Sequence, residues 1–82
     1  MSAFAHYINI LSQGGFICVT MFPDDNRISW STGDFEYNSE PMSVLVFEEM
    51  LEQQALEIFQ VTIVKDITYR YYRLSPQGWE AL

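Results

Sequence analysis

One stretch of the chain has the longest regular helical spacing of apolar and polar positions. Between Ser39 and Phe59, apolar residues recur every three or four positions, which is the pattern of an amphipathic helix. The apolar positions are Val44, Phe47, Leu51, Ala55 and Ile58, with Met50 beside them, and the opposite side holds Glu48, Glu49, Glu52 and Gln53. Pro41 suits the first turn of this helix, and Ser39 or Glu40 can cap it. We therefore predict a central helix over 39–59, on which the other elements pack.

Residues 2–13 also place apolar residues at helical spacing. These residues are Phe4, Ile8 and Leu11. The Gly14-Gly15 pair that follows can end a helix, because glycine tolerates the left-handed backbone conformation. A strand over residues 7–11 is the alternative, but the spacing favours a first helix.

The segment after these glycines has the composition of a β-hairpin. Residues 16–22 are β-branched and aromatic without any charge, which is typical of a strand. Residues 23–26 (PDDN) indicate a turn, since proline fixes φ and Asp or Asn side chains bond to the nearby backbone. Alternation resumes over 27–32 and again over 35–37. We predict a hairpin from the first two runs, with 35–37 as a short third strand.

A second hairpin is predicted after the central helix. Residues 60–64 and 68–74 are rich in β-branched and aromatic residues, and the polar Lys65-Asp66 pair between them suits the tip. Ser75-Pro76 then provides a helix N-cap followed by proline at the first helical position, so residues 77–82 are predicted to form a short closing helix.

Length and composition fit one small domain spanning residues 1–82. The chain is 49% hydrophobic and 18% charged, which provides enough apolar surface for a core. We predict an α+β fold in which antiparallel β-hairpins pack on one central amphipathic helix, with short helices at the N- and C-termini.

The net charge of −7 is concentrated in the middle of the chain. Residues 24–57 hold nine acidic residues against Arg27 alone, a balance of −8. Such a region repels phosphate backbones and attracts basic surfaces. The expected partner is therefore a basic protein surface, and binding to nucleic acid is not expected.

The residues capable of catalysis are few. His6 and Cys18 are each the only residue of their type, and Cys18 lies in an apolar run where burial should raise its pKa. A triad or a Cys/His pair is not predicted, and the protein is expected to be non-catalytic, with no cofactor. A small metal-binding protein is one alternative function, because oxygen ligands could gather at the hairpin ends. These would be Asp24, Asp25, Asn26, Asp34 and Glu36, although they lack EF-hand spacing.

Cellular location is also constrained by the sequence. The N-terminus lacks a basic region followed by a clean apolar run, and no apolar stretch approaches the ~20 residues of a membrane span. Cys18 has no partner for an internal disulfide, which fits a reducing compartment. We expect a cytoplasmic protein without a membrane partner.

Aromatic residues lie among the acidic residues of the middle region, a composition typical of protein-binding patches. The candidate partner-binding residues are Asp24, Asp25, Trp30, Asp34, Phe35, Glu36, Tyr37, Glu48, Glu49 and Glu52. The alternative is that the aromatics belong to the core and the acids only confer solubility. The favoured function is an acidic protein-interaction module. One version is an inhibitor whose carboxylates mimic nucleic-acid phosphates, similar in size and charge to small phage-encoded inhibitors.

The sequence is compatible with either a monomer or a homodimer. Tyr69, Tyr71 and Trp79, or an uncovered strand edge, could pair two copies of the chain, so both monomer and homodimer are retained.

The C-terminal half resembles part of a known family. A helix, a hairpin and a closing phrase with Tyr72, Leu74, Ser75, Gly78, Ala81 and Leu82 resemble the third helix, wing and last helix of winged-helix domains, over about residues 41–82. The resemblance implies a divergent transcriptional regulator or dimerisation domain, with Arg70 and Arg73 on the wing. Residues 14–38 do not share it, and the helix matching the DNA-recognition helix has no Lys or Arg.

Overall fold

The computed structural model describes residues 3–31 and 40–80, which form three helices and a five-stranded sheet. In chain order the elements are α1 (Ala3–Ser12), β1 (Phe16–Phe22), β2 (Asp25–Ser31), β3 (Glu40–Pro41), α2 (Val44–Glu52), β4 (Leu56–Val64), β5 (Ile67–Leu74) and α3 (Pro76–Glu80). The strands lie in the order β3-β2-β1-β5-β4, and every neighbouring pair is antiparallel. The predicted α+β class is confirmed, with both hairpins joined in one sheet.

The first helix and its glycine stop are confirmed. α1 ends at Ser12, and the Gly14 N–H donates to the Leu11 carbonyl at 3.2 Å. Gly14 has a φ of 94°, in the region that glycine adopts most readily. The chain can therefore reverse within three residues and enter the centre of the sheet as β1.

The first predicted hairpin is also confirmed, but its turn is Pro23-Asp24 and not 23–26, because Asp25 and Asn26 already pair with β1. β1 and β2 pair from Phe16 opposite Ser31 to Phe22 opposite Asp25. The predicted third strand at 35–37 lies outside the described residues. β3, which pairs with β2 at Ser29 and Trp30, was not predicted from the sequence.

The central helix is shorter than predicted, spanning Val44–Glu52 rather than 39–59. On its N-terminal side the chain is held extended, because the Met42 N–H donates to the Ile28 carbonyl at 2.9 Å and Ser43 becomes the N-cap. Pro41 therefore belongs to β3, and the predicted capping by Ser39 or Glu40 is wrong. On the C-terminal side Gln54 has a φ of 56°, which ends the helix.

The second hairpin begins earlier than the sequence suggested. Residues 56–59, predicted as helix, open β4 and pair with the end of β5, with a bulge between Ile58 and Gln60. The predicted tip at Lys65-Asp66 is confirmed, and Lys65 has a φ of 57°.

The predicted cap of the closing helix is confirmed. The Gly78 N–H donates to Ser75 Oγ at 3.0 Å, and Pro76 occupies the first helical position. The Ser75 hydroxyl donates in turn to the Gln54 carbonyl, and the Ser75 N–H donates to the Ala55 carbonyl at 2.9 Å. Ser75 thus joins α3 to the segment between α2 and β4.

The core lies between one side of the sheet and the helices α1 and α2. Its buried apolar residues are Ile8, Leu11, Ile17, Val19, Met42, Phe47, Met50, Ala55, Tyr72 and Leu74. The rings of Phe47 and Tyr72 meet edge to face, with centroids 5.2 Å apart. The central strands β1 and β5 supply the sheet side of this core, so the outer strands contribute less to it.

Candidate functional site

The side of α2 that faces away from the sheet combines carboxylates with an exposed leucine. Leu45, Glu48, Glu49 and Glu52 stand at positions i, i+3, i+4 and i+7, so they share one side of the helix, here named the α2 outer face. Leu45 is 77% exposed, and the three glutamates are exposed. The ion pairs among the described residues are Arg27–Asp25 and Arg73–Glu57, and neither involves this face.

Two apolar residues at the margins of this face were predicted to be buried. Val44 is 54% exposed and Leu51 is 41% exposed, so their assignment to the buried side of the helix is wrong. The reason is that α2 packs through a narrow stripe in which Phe47 and Met50 are buried and Val46 is half-buried beside them. The carboxylates are consequently bordered by apolar surface, as in the mixed patches that proteins use for binding.

The acidic residues of the first hairpin lie elsewhere. Asp24 is in the turn between β1 and β2, and Asp25 begins β2. The Asp25 carboxylate accepts from Arg27 Nε at 3.4 Å and from the Asn26 N–H at 2.9 Å. Asp25 is thus engaged on its own strand, and among the described residues no hydrogen bond or ion pair joins it to the α2 outer face.

Trp30 lies between α1 and the sheet. It is half-buried, and its ring meets those of Tyr7 and His6 edge to face, at centroid distances of 5.9 Å and 6.3 Å. Its ring packs against the core, whereas the α2 outer face takes its exposed apolar surface from Leu45. The other predicted anchors and acids of this region lie outside the described residues: Asp34, Phe35, Glu36 and Tyr37.

The single cysteine is held in its thiol form. Burial raises the pKa of Cys18, as the sequence predicted, and a hydrogen bond with Thr20 (Sγ to Oγ1, 3.8 Å) opposes that rise. Across the β1–β5 pair, burial also raises the pKa of Tyr71, and the negative charge of Cys18, once its thiol ionises at alkaline pH, adds to that rise. Cys18 therefore lacks the thiolate character of a nucleophile at neutral pH.

No group of three His, Cys, Asp or Glu side chains suited to a metal ion occurs within residues 3–31 and 40–80. Of the oxygen ligands proposed from the sequence, Asp24, Asp25 and Asn26 are exposed around the first hairpin turn. The Asp25 carboxylate there is already engaged by Arg27 and by the backbone of Asn26.

A groove of about 710 Å³ opens between the end of α1, the base of the second hairpin and α3. It is lined by Leu11, Ser12, Gly14, Gly15, Phe16, Glu57, Phe59, Arg73, Leu74, Pro76 and Trp79. The Glu57 carboxylate accepts from Arg73 Nε at 2.9 Å, and the Arg73 guanidinium lies over the Phe59 ring, 5.7 Å from its centroid. The acid among these described lining residues is thus already paired, and most of the other lining residues suit apolar groups. Sequence reasoning missed this groove, because its residues come from three separate segments, 11–16, 57–59 and 73–79.

Comparisons with protein-family models, with curated proteins and with solved structures find no match to this chain. No helix in the described part of the chain is long and apolar enough to span a bilayer. α1 has ten residues and α2 has nine, whereas a spanning helix needs about 20.

Proposed function

We propose that the protein is a non-catalytic acidic interaction module that docks the α2 outer face on a basic protein surface. The observation that carries this proposal is the 77% exposure of Leu45 among glutamates that form no ion pair with any described residue. A purely solubilising coat accounts for the glutamates but gives no reason for the exposed leucine, or for Val44 and Leu51 beside it.

The two kinds of residue have different roles in docking. Burial of a leucine side chain contributes about 1.5–3 kcal/mol, so Leu45 supplies the desolvated contact. The carboxylates of Glu48, Glu49 and Glu52 attract a basic partner from a distance and increase the association rate. Affinity should therefore depend on both, but only the carboxylate contribution should be sensitive to salt.

A specific form of this function is inhibition by mimicry of nucleic acid. Glu48 and Glu52 are separated by one helical turn, about 6 Å along the helix axis. Their carboxylates form a row that can take the place of backbone phosphates on a basic DNA-binding surface. In that form, duplex DNA and this protein compete for the same partner.

The experiment uses fluorescently labelled protein and a panel of purified basic DNA-binding proteins, with anisotropy recorded as NaCl is increased. The triple variant Glu48→Gln, Glu49→Gln, Glu52→Gln should lose most affinity and most salt dependence. Leu45→Ser should lose affinity but keep the salt dependence. Asp66→Asn, at the tip of the second hairpin, is the matched control and should bind as the wild type does.

Unlabelled duplex DNA added to each complex tests the mimicry form, because it should displace the labelled protein. Binding that is indifferent to salt, or a triple variant that binds as tightly as wild type, would refute docking through the α2 outer face.

A divergent winged-helix regulator is the second candidate, favoured by the succession of α2, the β4–β5 hairpin and α3. Two observations weigh against this candidate. Residues 16–31 form two strands where that fold needs a helix. Arg73, on the expected wing, is already paired with Glu57. Gel shifts at low salt with wild type and Arg70→Ala test this candidate: it requires DNA binding that weakens in the variant.

A further inference from the structure

β4 forms one outer edge of the sheet, and among the described residues no strand pairs with its outer side. The strand is nine residues long and contains no Lys, Arg or Pro. Long apolar edges of this kind are open to pairing with another strand, and natural proteins usually block them with charge, proline or short length. Residues 60–64 of this edge carry no charge and no proline. A β-bulge can also disrupt an edge, but the bulge here lies nearer the base, between Ile58 and Gln60.

The side chains of β4 are unusually exposed for such an apolar strand. Ile63 is 69% exposed, Val61 is 52%, Val64 is 51% and Ile58 is 49%. The described helices therefore leave about half or more of each side chain accessible. An additional strand beside β4 would cover part of this surface.

The hairpin register shows which backbone groups point outward. Lys65 and Asp66 form a two-residue turn closed by Val64 opposite Ile67, and such a turn places a hydrogen bond between the flanking residues. Because antiparallel pairs alternate, Thr62 bonds toward β5, whereas Val61 and Ile63 direct their N–H and C=O groups to the free edge.

We propose that β4 pairs in antiparallel fashion with β4 of a second copy of this chain, centred on Thr62. This register sets Val61 of each copy opposite Ile63 of the other, so both outward-facing residues make backbone hydrogen bonds. The result is a two-fold symmetric dimer with one continuous sheet of twice five strands.

A second copy is the occupant that the charges favour. Glu57 is the only charged residue in β4, and Lys65 follows the other end of the strand. In the register centred on Thr62, Lys65 of each copy lies opposite Phe59 of the other, two residues from its Glu57, so no like charges meet along the new junction. Residues 56–74 carry Lys65, Arg70 and Arg73 against Glu57 and Asp66, so this hairpin escapes the acidic charge that would repel an identical chain.

The opposite edge of the sheet, formed by β3, is poorly suited to pairing with another strand. β3 has two residues, Glu40 and Pro41, and proline has no N–H to donate. Pairing through β4 therefore closes into a dimer and does not propagate into a filament.

The first test is sedimentation of the full chain over a range of concentrations. Wild type should form dimers, and Ile63→Lys should raise the dimer Kd at least about tenfold, because it places two ammonium groups at the new junction. Leu45→Lys is the matched control: it makes the same kind of change at a similarly exposed apolar residue on α2 and should leave the dimer intact. Circular dichroism checks that both variants are folded.

The second test reports the register without disturbing the edge. Thr62→Cys in a Cys18→Ser background should form a disulfide between copies under mild oxidation, because opposite residues of a non-hydrogen-bonded antiparallel pair have Cα atoms about 4.5 Å apart. Gln77→Cys, at an exposed position of α3, should cross-link far less. A monomer at every concentration, a dimer unaffected by Ile63→Lys, or equal cross-linking at both cysteines would overturn the proposal.

Discussion

The two strands that flank the central pair β1 and β5, namely β2 and β4, share an alternating pattern but have different surroundings. Each presents β-branched or aromatic residues on alternate positions, and each pairs with a central strand. On β2 these residues, Ile28 and Trp30, are half-buried against the core. On β4, Val61 and Ile63 are mostly exposed. Alternation therefore determines which side of a strand is apolar, while the placement of the helices determines whether that side is covered.

The path of α2 accounts for this difference. The helix starts beside β2, where the Met42 N–H bonds to Ile28, and leads to Ala55 at the base of β4. Its nine residues reach that base but do not continue along β4 toward the hairpin tip. β4 is thus fixed at one end, through Ala55 and Ser75, and exposed at the other.

The largest effect is expected where the base of β4 meets α3. A Cβ on Gly78 would lie 2.3 Å from the Ala55 carbonyl oxygen and 2.8 Å from Leu74 Cδ2. Gly78→Ala should therefore reduce the free energy of unfolding by about 3 kcal/mol, measured by urea denaturation.

Gly14→Ala is the control for this substitution. Its Cβ meets nothing within 4 Å, and only the positive φ opposes it, at a cost of about 1 kcal/mol. Equal losses in the two variants would contradict the tight junction between α3 and the base of β4.

The next effect compares β2 and β4 through the same substitution of isoleucine by alanine. Ile28→Ala removes apolar contacts with the core and should cost about 2 kcal/mol. Ile63→Ala, on a side chain that is 69% exposed, should cost less than about 0.5 kcal/mol under conditions that keep the protein monomeric. Urea denaturation of both variants checks this, and similar losses would show that β4 is covered after all.

A smaller effect is expected from Ser75, which joins α3 to the β4 base. Ser75→Ala removes the cap on the Gly78 N–H and the bond to the Gln54 carbonyl, and should cost about 1–2 kcal/mol in thermal or urea unfolding. Ser75→Thr keeps a hydroxyl and should recover part of that loss. A variant as stable as wild type would rule out a structural role for this hydroxyl.

The smallest effect concerns Cys18 on β1 and Tyr71 on β5, which lie opposite each other where the two hairpins meet. The pKa values of Cys18 and Tyr71 are raised by burial, so the unfolded chain releases these protons at lower pH than the folded chain. The free energy of unfolding should therefore fall as pH rises above 9.0, the ordinary pKa of the thiol.

Urea midpoints recorded across this alkaline range measure the effect. Cys18→Ser removes one of the two titrations and should make the fall shallower. A midpoint that rises with pH in wild type would contradict burial as the cause.

Local signals were sufficient to predict most elements from the sequence. The cap at Ser75, the glycine stop after α1 and the tip at Lys65-Asp66 each depend on residues within one turn, and all three predictions were confirmed. The end of the central helix was not predictable in this way, because residues 56–59 fit both periodicities. Pairing with β5, a contact distant in the sequence, decided it.

The candidate site was predicted only in part. The exposed glutamates of α2 are where the amphipathic pattern put them, whereas exposed Leu45 could not be recognised before the width of the buried stripe was known. Trp30 was offered as an anchor on composition alone, and composition does not distinguish an interface from packing against α1.

The contrasting positions of the two tryptophans give the molecule a built-in optical readout. Trp30 is held among Tyr7 and His6 near α1, whereas Trp79 on α3 is 51% exposed. Acrylamide should quench emission from Trp79 before that from Trp30, and single Trp→Phe replacements would assign each spectrum. Loosening around α1 and loosening around α3 can then be followed separately without an added dye.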